Sequence, residues 1–343
     1  MFSIKATSLR TSKIKSNLVP DTTLWTLAVI PDTQRLAPNN ATAYNSMMQW
    51  LVDESGTEGI EMVIHLGDFA NNGASNSEWN VVETAMDRLH TNSIPWIACA
   101  GNHDYDDDGQ GTYSRKETKW NGKFPESQWN GKSYFIDSYN NITTNMAAKK
   151  TIGTTSFLFL TLEFQPRAAV LTWAQGIIDA NVTDKIILAT HTLTDPEALY
   201  ATEDTNAGGT GQAGQPQYYG VCNFSTDGDC KTGQEIYSEF IVNNDNIILA
   251  CSGHDVVGAG APDDSQGVRG QSAFSKRVDT VGGNPVNVHL FNYQNVSANS
   301  YANSAYIRLY RITNSGSFTV ETYNPVRDTN LTDGENQFSG TFN

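Results

Sequence analysis

Cysteine is scarce, with four in 343 residues. That is too few for a disulfide scaffold, and neither pair has the spacing of a zinc knuckle. Cys99 and Cys251 end apolar runs and read as buried thiols. Cys222 and Cys230 flank a polar loop and can close a small disulfide in an oxidising compartment. Long apolar runs are missing as well. None approaches the ~20 residues that a membrane-spanning helix needs. The opening stretch MFSIKATSLRTSKIKSNLVP is mildly basic but has no continuous apolar core. No cleaved leader is therefore expected, and residues 1–23 read as an N-terminal arm. Positive charge is the third shortage. Lys and Arg total 22 against 37 Asp and Glu, a formal net charge of −15. Such a surface repels polynucleotides and anionic lipid, and no basic cluster follows the arm. Nucleic acid and membrane are thus poor partners, and a cytoplasmic or virion-associated chain is expected.

The chain is long enough for one large domain or two small ones. It shows no repeat and no dividing linker. Apolar runs at 24–30, 62–66, 97–100, 185–190 and 246–252 read as buried strands. Amphipathic stretches at 41–55, 78–89 and 168–180 read as helices. Strands that alternate with helices in this way are parallel, with right-handed crossovers, and they present ligands at their carboxyl ends. Further strands are expected at 133–137, 156–162, 286–293, 305–313 and 317–323. Residues 201–234, rich in Gly, Gln, Asn and Thr, read as a surface insertion. Residues 326–343 read as a tail. The run Asp106-Asp107-Asp108 lacks the full calcium-loop pattern and reads as a solvated turn. His65, inside its strand, reads as structural.

Each buried run delivers chemistry where it ends. The first gives Asp32 and Gln34, one residue apart, whose side chains share a face in extended backbone. The second gives Asp68 and the third Asn102, His103 and Asp104. The last two end in His191 and His254. Oxygen and imidazole donors without thiolate suit Mn, Fe, Zn, Ni or Mg.

Asp32-Thr33-Gln34, Gly67-Asp68 with Asn71, Gly101-Asn102-His103-Asp104, His191 and Gly253-His254 together resemble the calcineurin-like metallophosphoesterase superfamily. The resemblance spans 24–325. The wording Pro-Asp-Thr-Gln early and Phe-Asn-Tyr-Gln at 291–294 resembles the subgroup with Gln in place of the first block's usual His. It implies an α/β fold of four layers, α/β/β/α, with two mixed β-sheets face to face and helices outside. It implies one or two divalent metal ions. Asp32 and Gln34 would hold one, Asp68 would bridge, and Asn102, His191 and His254 would complete the other. His103 would be the general acid and Asp104 its orienting partner. Arg35 and Arg167 would bind phosphate oxygens of a small phosphorylated substrate. The implied reaction is hydrolysis of a phosphomonoester or phosphodiester by in-line attack of a metal-bound hydroxide.

Two departures stand out. The family's last block usually reads Gly-His-x-His, but here it is Gly253-His254-Asp255-Val256. With Gln34, the first metal loses two imidazoles, and His289 or Gln294 is the expected substitute. The alternative reading is a non-enzymatic binding or assembly module, such as a virion structural protein. It would keep the fold with a degenerate metal site and make self- or virion-assembly contacts through 1–23 and 201–234.

Overall fold

A computed structural model describes residues 23–106, 115–196, 198–201, 229–255, 272–296 and 301–342. Most of the expected arm, residues 202–228 of the insertion, Asp107, Asp108, Cys222 and Val256 lie outside the described residues.

Three parallel strands begin the chain: β1 (Thr23–Ile30), β2 (Ile60–His65) and β3 (Trp96–Ala98). A second sheet follows, built from β4 (Phe135–Ser138), β5 (Met146–Ile152), β6 (Thr155–Leu162), β7 (Lys185–Thr190), β8 (Ile247–Ser252), β9 (Ala273–Val281) and β10 (Asn284–Asn292). Its order is β4-β5-β6-β7-β8-β10-β9, with β6, β7, β8 and β10 parallel. The chain then returns to the first sheet with β11 (Ile307–Thr313), β12 (Ser317–Asn324), β13 (Thr329–Leu331) and β14 (Phe338–Thr341). β11 runs antiparallel to β1, so both sheets are mixed.

The near-continuous apolar runs of β1, β7 and β8 follow from burial on both faces. One core fills the space between the sheets and under the first helices. There Trp25 of β1 meets Phe157 of β6 at 4.9 Å between ring centroids. Short helices α1 (Leu36–Asn39) and α4 (Thr118–Lys123) accompany the longer α2 (Ala41–Glu58), α3 (Asn76–Thr91) and α5 (Ala168–Asp179). Tyr44, Met47, Met48 and Leu51 of α2 join the first core at helical spacing. Val170, Leu171, Ala174 and Ile178 of α5 close a second core on the outer face of β6–β8. The order of layers is helix, sheet, sheet, helix, which is the expected α/β architecture.

Asn40 starts α2 by accepting the Ala43 N–H at 2.9 Å, and Ser75 caps α3 in the same way. Asp106, from the acidic run, accepts the Thr118 and Lys119 N–H groups at the start of α4. Cys99 and Cys251 are buried free thiols, and Cys230 is disulfide-bonded.

One correction concerns the C-terminus. Residues 326–343, read as a tail, contain β13 and β14, and both pair with β12. The Asn287 side chain of the second sheet also donates to the Thr341 carbonyl. The segment is therefore part of the first sheet. Among the described residues, no helix is long and apolar enough to cross a membrane.

Candidate metal centre

The parallel register brings β1, β2 and β3 to a common end, with Ile30 opposite His65 and His65 opposite Ala98. Asp32, Asp68 and the Asn102–Asp104 turn follow these three ends. His191 directly follows β7, and its carbonyl accepts the Gly253 N–H, which places His254 beside it. Two of the chemical residues have left-handed backbone, Asp68 with φ 53° and His254 with φ 67°. Neighbouring chain comes very close here. A Cβ on Gly101 would stand 2.1 Å from Asp68 Oδ1, and one on Gly253 would stand 2.1 Å from Asp32 Oδ1. Only glycine leaves room for the two carboxylates.

Asn102 Oδ1 lies 3.1 Å from His191 Nε2 and 3.0 Å from His254 Nδ1, and the two nitrogens are 3.3 Å apart. Asp68 Oδ1 lies 3.3 Å from His191 Nε2. Ligands bonded to one tetrahedral ion sit about 3.3 Å from each other. His191 Nδ1 is 2.8 Å from the Leu66 carbonyl, an acceptor, so Nδ1 carries a proton. The Nε2 lone pair of the neutral ring then faces a carboxylate oxygen and an amide oxygen. That arrangement needs a cation at its centre. Without a metal, a proton takes the role: burial opposes it, but Asp68 and Asp32 push His191 up to about 10. Burial acts against the Asp68 carboxylate too, yet His191 and His103 hold it well below the usual carboxylate range.

Asp32 is the second anion. Burial pushes it up to about 8, with His191 opposing and Asp68 reinforcing the rise. It accepts the His254 N–H and, at 2.8 Å, the Asn292 amide. Asp32, Asp68 and His191 each place a donor atom within 4.8 Å of the others. Gln34 donates to the Gln294 carbonyl oxygen. Its own Oε1 is buried and has no hydrogen-bond partner among the described residues. An orphaned buried acceptor costs free energy unless a cation or donor answers it. These donors fit divalent ions, with Asp68, Asn102, His191 and His254 as one set and Asp32 with Gln34 as another.

His103 is half-buried at the edge of this group. Its N–H donates to Asp68 Oδ1 at 2.9 Å, and its Nδ1 lies 2.7 Å from the Asn71 carbonyl. Asp104 was expected to orient that ring. Its carboxylate is instead occupied by the N–H groups of Phe69, Ala70 and Gly101. It braces the two loops that carry Asp68 and Asn102, while Asn71 fixes the imidazole. Arg35 donates to Asn71 Oδ1 at 2.9 Å, so it stands next to the His103 support. Glu78 Oε2 accepts the Asn71 and Asn72 N–H groups and holds the same loop.

Arg167 is committed elsewhere. It makes a bidentate pair with fully buried Glu163, at 2.8 and 2.9 Å. Arg115 shares Glu163 and donates to the Phe164 and Gln165 carbonyls. This pins Phe164, whose ring lies 5.7 and 5.2 Å from those of His191 and His254. His289, proposed as a substitute ligand, bonds to the Tyr310 hydroxyl and stacks on that ring. His65 lies between Thr33 Oγ1 and the Gly67 N–H.

A pH signature follows from the Arg115–Glu163–Arg167 cluster. Burial, reinforced by Glu163, pushes neighbouring Glu117 up to about 7. Its folded pKa exceeds the unfolded one, so folding binds a proton between the two values. Its ionisation therefore subtracts stability as pH rises from about 4.5 to 7. A Glu117→Gln variant removes that cost and keeps an acceptor for Thr144 Oγ1. Its advantage over the parent in urea unfolding should grow by about 2 kcal/mol between pH 5 and 8.

From the sequence, Asn71 was named only within its block and given no role, and Asn292 was not singled out as a site residue. Asn292 lies in the Phe-Asn-Tyr-Gln stretch already noted, but it is 260 positions from Asp32, and nothing local shows what it bonds.

The family model for calcineurin-like phosphoesterases, Metallophos, matches residues 26–258. Protein YvnB of Bacillus subtilis (strain 168) is 22% identical over 255 residues, which is 73% of this chain but 17% of YvnB. The chain thus spans only a small part of that relative. Among solved structures, the purple acid phosphatase PPD1 from seeds of yellow lupin (Lupinus luteus) has a similar fold. Its TM-score is 0.50 at 11% identity, over 92% of this chain and 53% of that one. The GAP50 anchor of the Plasmodium inner membrane complex matches with a TM-score of 0.44 at 10% identity, over 93% of this chain and 88% of its own. The matched segment carries the strand-end residues of the cluster, from Asp32 to His254, and the chain belongs to the calcineurin-like phosphoesterase family.

Proposed function

We propose that this chain hydrolyses an ester of phosphate, with divalent cations held at the cluster. The observation that carries the reading is the convergence of Asn102, His191 and His254, with donor atoms 3.0–3.3 Å apart, and of Asp68, 3.3 Å from His191, from four separate strand ends. Divalent ions, when bound, supply charge to hold phosphoryl oxygens and to activate water. The protein's own part is positioning and proton transfer. Asn71 holds the Nδ1 side of His103, and Nε2 is the atom assigned to protonate the departing oxygen. Asp68 fixes the backbone of His103, so the acid and the cation site share one anchor. Arg35, beside Asn71, is the candidate for a non-bridging phosphate oxygen. The net charge of −15 favours a small phosphorylated substrate over a polynucleotide.

Val256 and Gln34 favour a second reading, a binding or assembly module on the same fold. The two are separated by assaying Mn²⁺-loaded protein on p-nitrophenyl phosphate and bis-p-nitrophenyl phosphate. Turnover of either ester supports the enzyme, and the preferred ester assigns monoesterase or diesterase. No turnover by folded protein with bound metal supports the module.

A further inference from the structure

We infer that the two cation positions are chemically unequal. One retains a nitrogen-seeking ion such as Zn²⁺ firmly, and the other, on oxygen alone, takes a hard ion such as Mg²⁺ or Mn²⁺ in free exchange. This rests on reading the cluster as a metal centre.

Counting imidazoles carries the argument. The chain has six histidines, and all six lie among the described residues. His191 and His254 meet at Asn102 Oδ1. His103 is fixed on the Asn71 carbonyl, His65 between Thr33 and Gly67, and His289 on Tyr310. His90 lies with Trp96 and Trp129 at the far end of β3. No imidazole is left for the position at Asp32, and no undescribed residue can bring one. What Asp32 and Gln34 offer is carboxylate and amide oxygen.

Gln34 shows the same from the other side. Its amide NH₂ is spent on Gln294, which turns the buried Oε1, without a hydrogen-bond partner among the described residues, into the remaining acceptor. Asn292 donates to Asp32 Oδ2, and the His254 N–H donates to the same carboxylate. Those bonds lower the charge density that Asp32 presents to a cation. Oxygen donors suit Mg²⁺, Ca²⁺ and Mn²⁺, whereas imidazole suits Zn²⁺, Fe and Ni²⁺. Asp68, whose Oδ1 lies 3.3 Å from His191 Nε2 and accepts the His103 N–H, serves the firm position.

The test reads metal content, not activity. The full chain is loaded with excess Zn²⁺ and Mn²⁺, passed through a desalting column and analysed by elemental mass spectrometry. About one zinc and little manganese per chain is expected, with Mn²⁺ then rebinding in a titration followed by electron paramagnetic resonance. Gln34→His adds an imidazole and is expected to raise retained zinc to about two. Two zinc ions held by the parent would overturn the inequality while keeping the metal centre. None held by folded parent would overturn the metal centre itself, and the inequality with it. Should Gln34→His fold poorly, the parent's zinc count and Mn²⁺ titration still decide.

Discussion

A His103→Asn variant should hydrolyse a phenyl phosphodiester about 10²–10⁴ times more slowly than the parent. Its loss on the p-nitrophenyl analogue should be much smaller. Phenolate is a poor leaving group and needs a proton as the bond to phosphorus breaks, whereas nitrophenolate leaves without much help. The contrast isolates proton donation from positioning. Asn keeps the backbone N–H that meets Asp68 Oδ1, so the anchor of the carboxylate survives. The ring nitrogen of His103 is not among the donors gathered on Asn102, so retained metal should match the parent. Equal losses on both esters would take the general-acid role away from His103. Unchanged rates would remove it from the mechanism altogether.

If the cluster holds the ion, Asp68→Asn should weaken its retention by about 100-fold or more, since it removes a buried carboxylate charge at constant shape. The carboxylate is buried and faces His191 at 3.3 Å. In that setting one charge is worth far more than at the surface. Gly101→Ala should act in the same direction without touching any donor, because its Cβ would lie 2.1 Å from Asp68 Oδ1. Both are read by elemental analysis after desalting, alongside thermal unfolding to confirm the fold. If Asp68→Asn retained metal like the parent, the cluster would not be the cation site.

Much of this was legible in the chain because parallel strands advertise themselves. Burial on both faces requires unbroken apolar runs, and chemistry then gathers where each run stops. Asp32, Asp68, Asn102, His191 and His254 were singled out in this way, and the fold brings them together. What stayed hidden has physical causes. Asp104 follows His103 directly, which suggests contact. Residues 102–104, however, form a tight turn that aims neighbouring side chains apart, and Asp104 faces the backbone of Phe69, Ala70 and Gly101. Asn292 works across 260 positions through one amide. β5, with Ala147, Ala148, Lys149 and Lys150, is poor in β-branched and aromatic residues, and its pairing with β6 overrides that weak propensity. β13 and β14, of three and four residues, are too short to show a period. Arg167 looked available because its bidentate partner Glu163 gives no sign of burial in the sequence.

The most direct test of the account is a stripping experiment on bis-p-nitrophenyl phosphate. The protein is treated with a chelator, exchanged into metal-free buffer and assayed, then assayed again after Mn²⁺ and Zn²⁺ are restored. The account predicts turnover lost on stripping and recovered with metal. Turnover that persists in metal-free protein, or none from folded protein with metal restored, would contradict it.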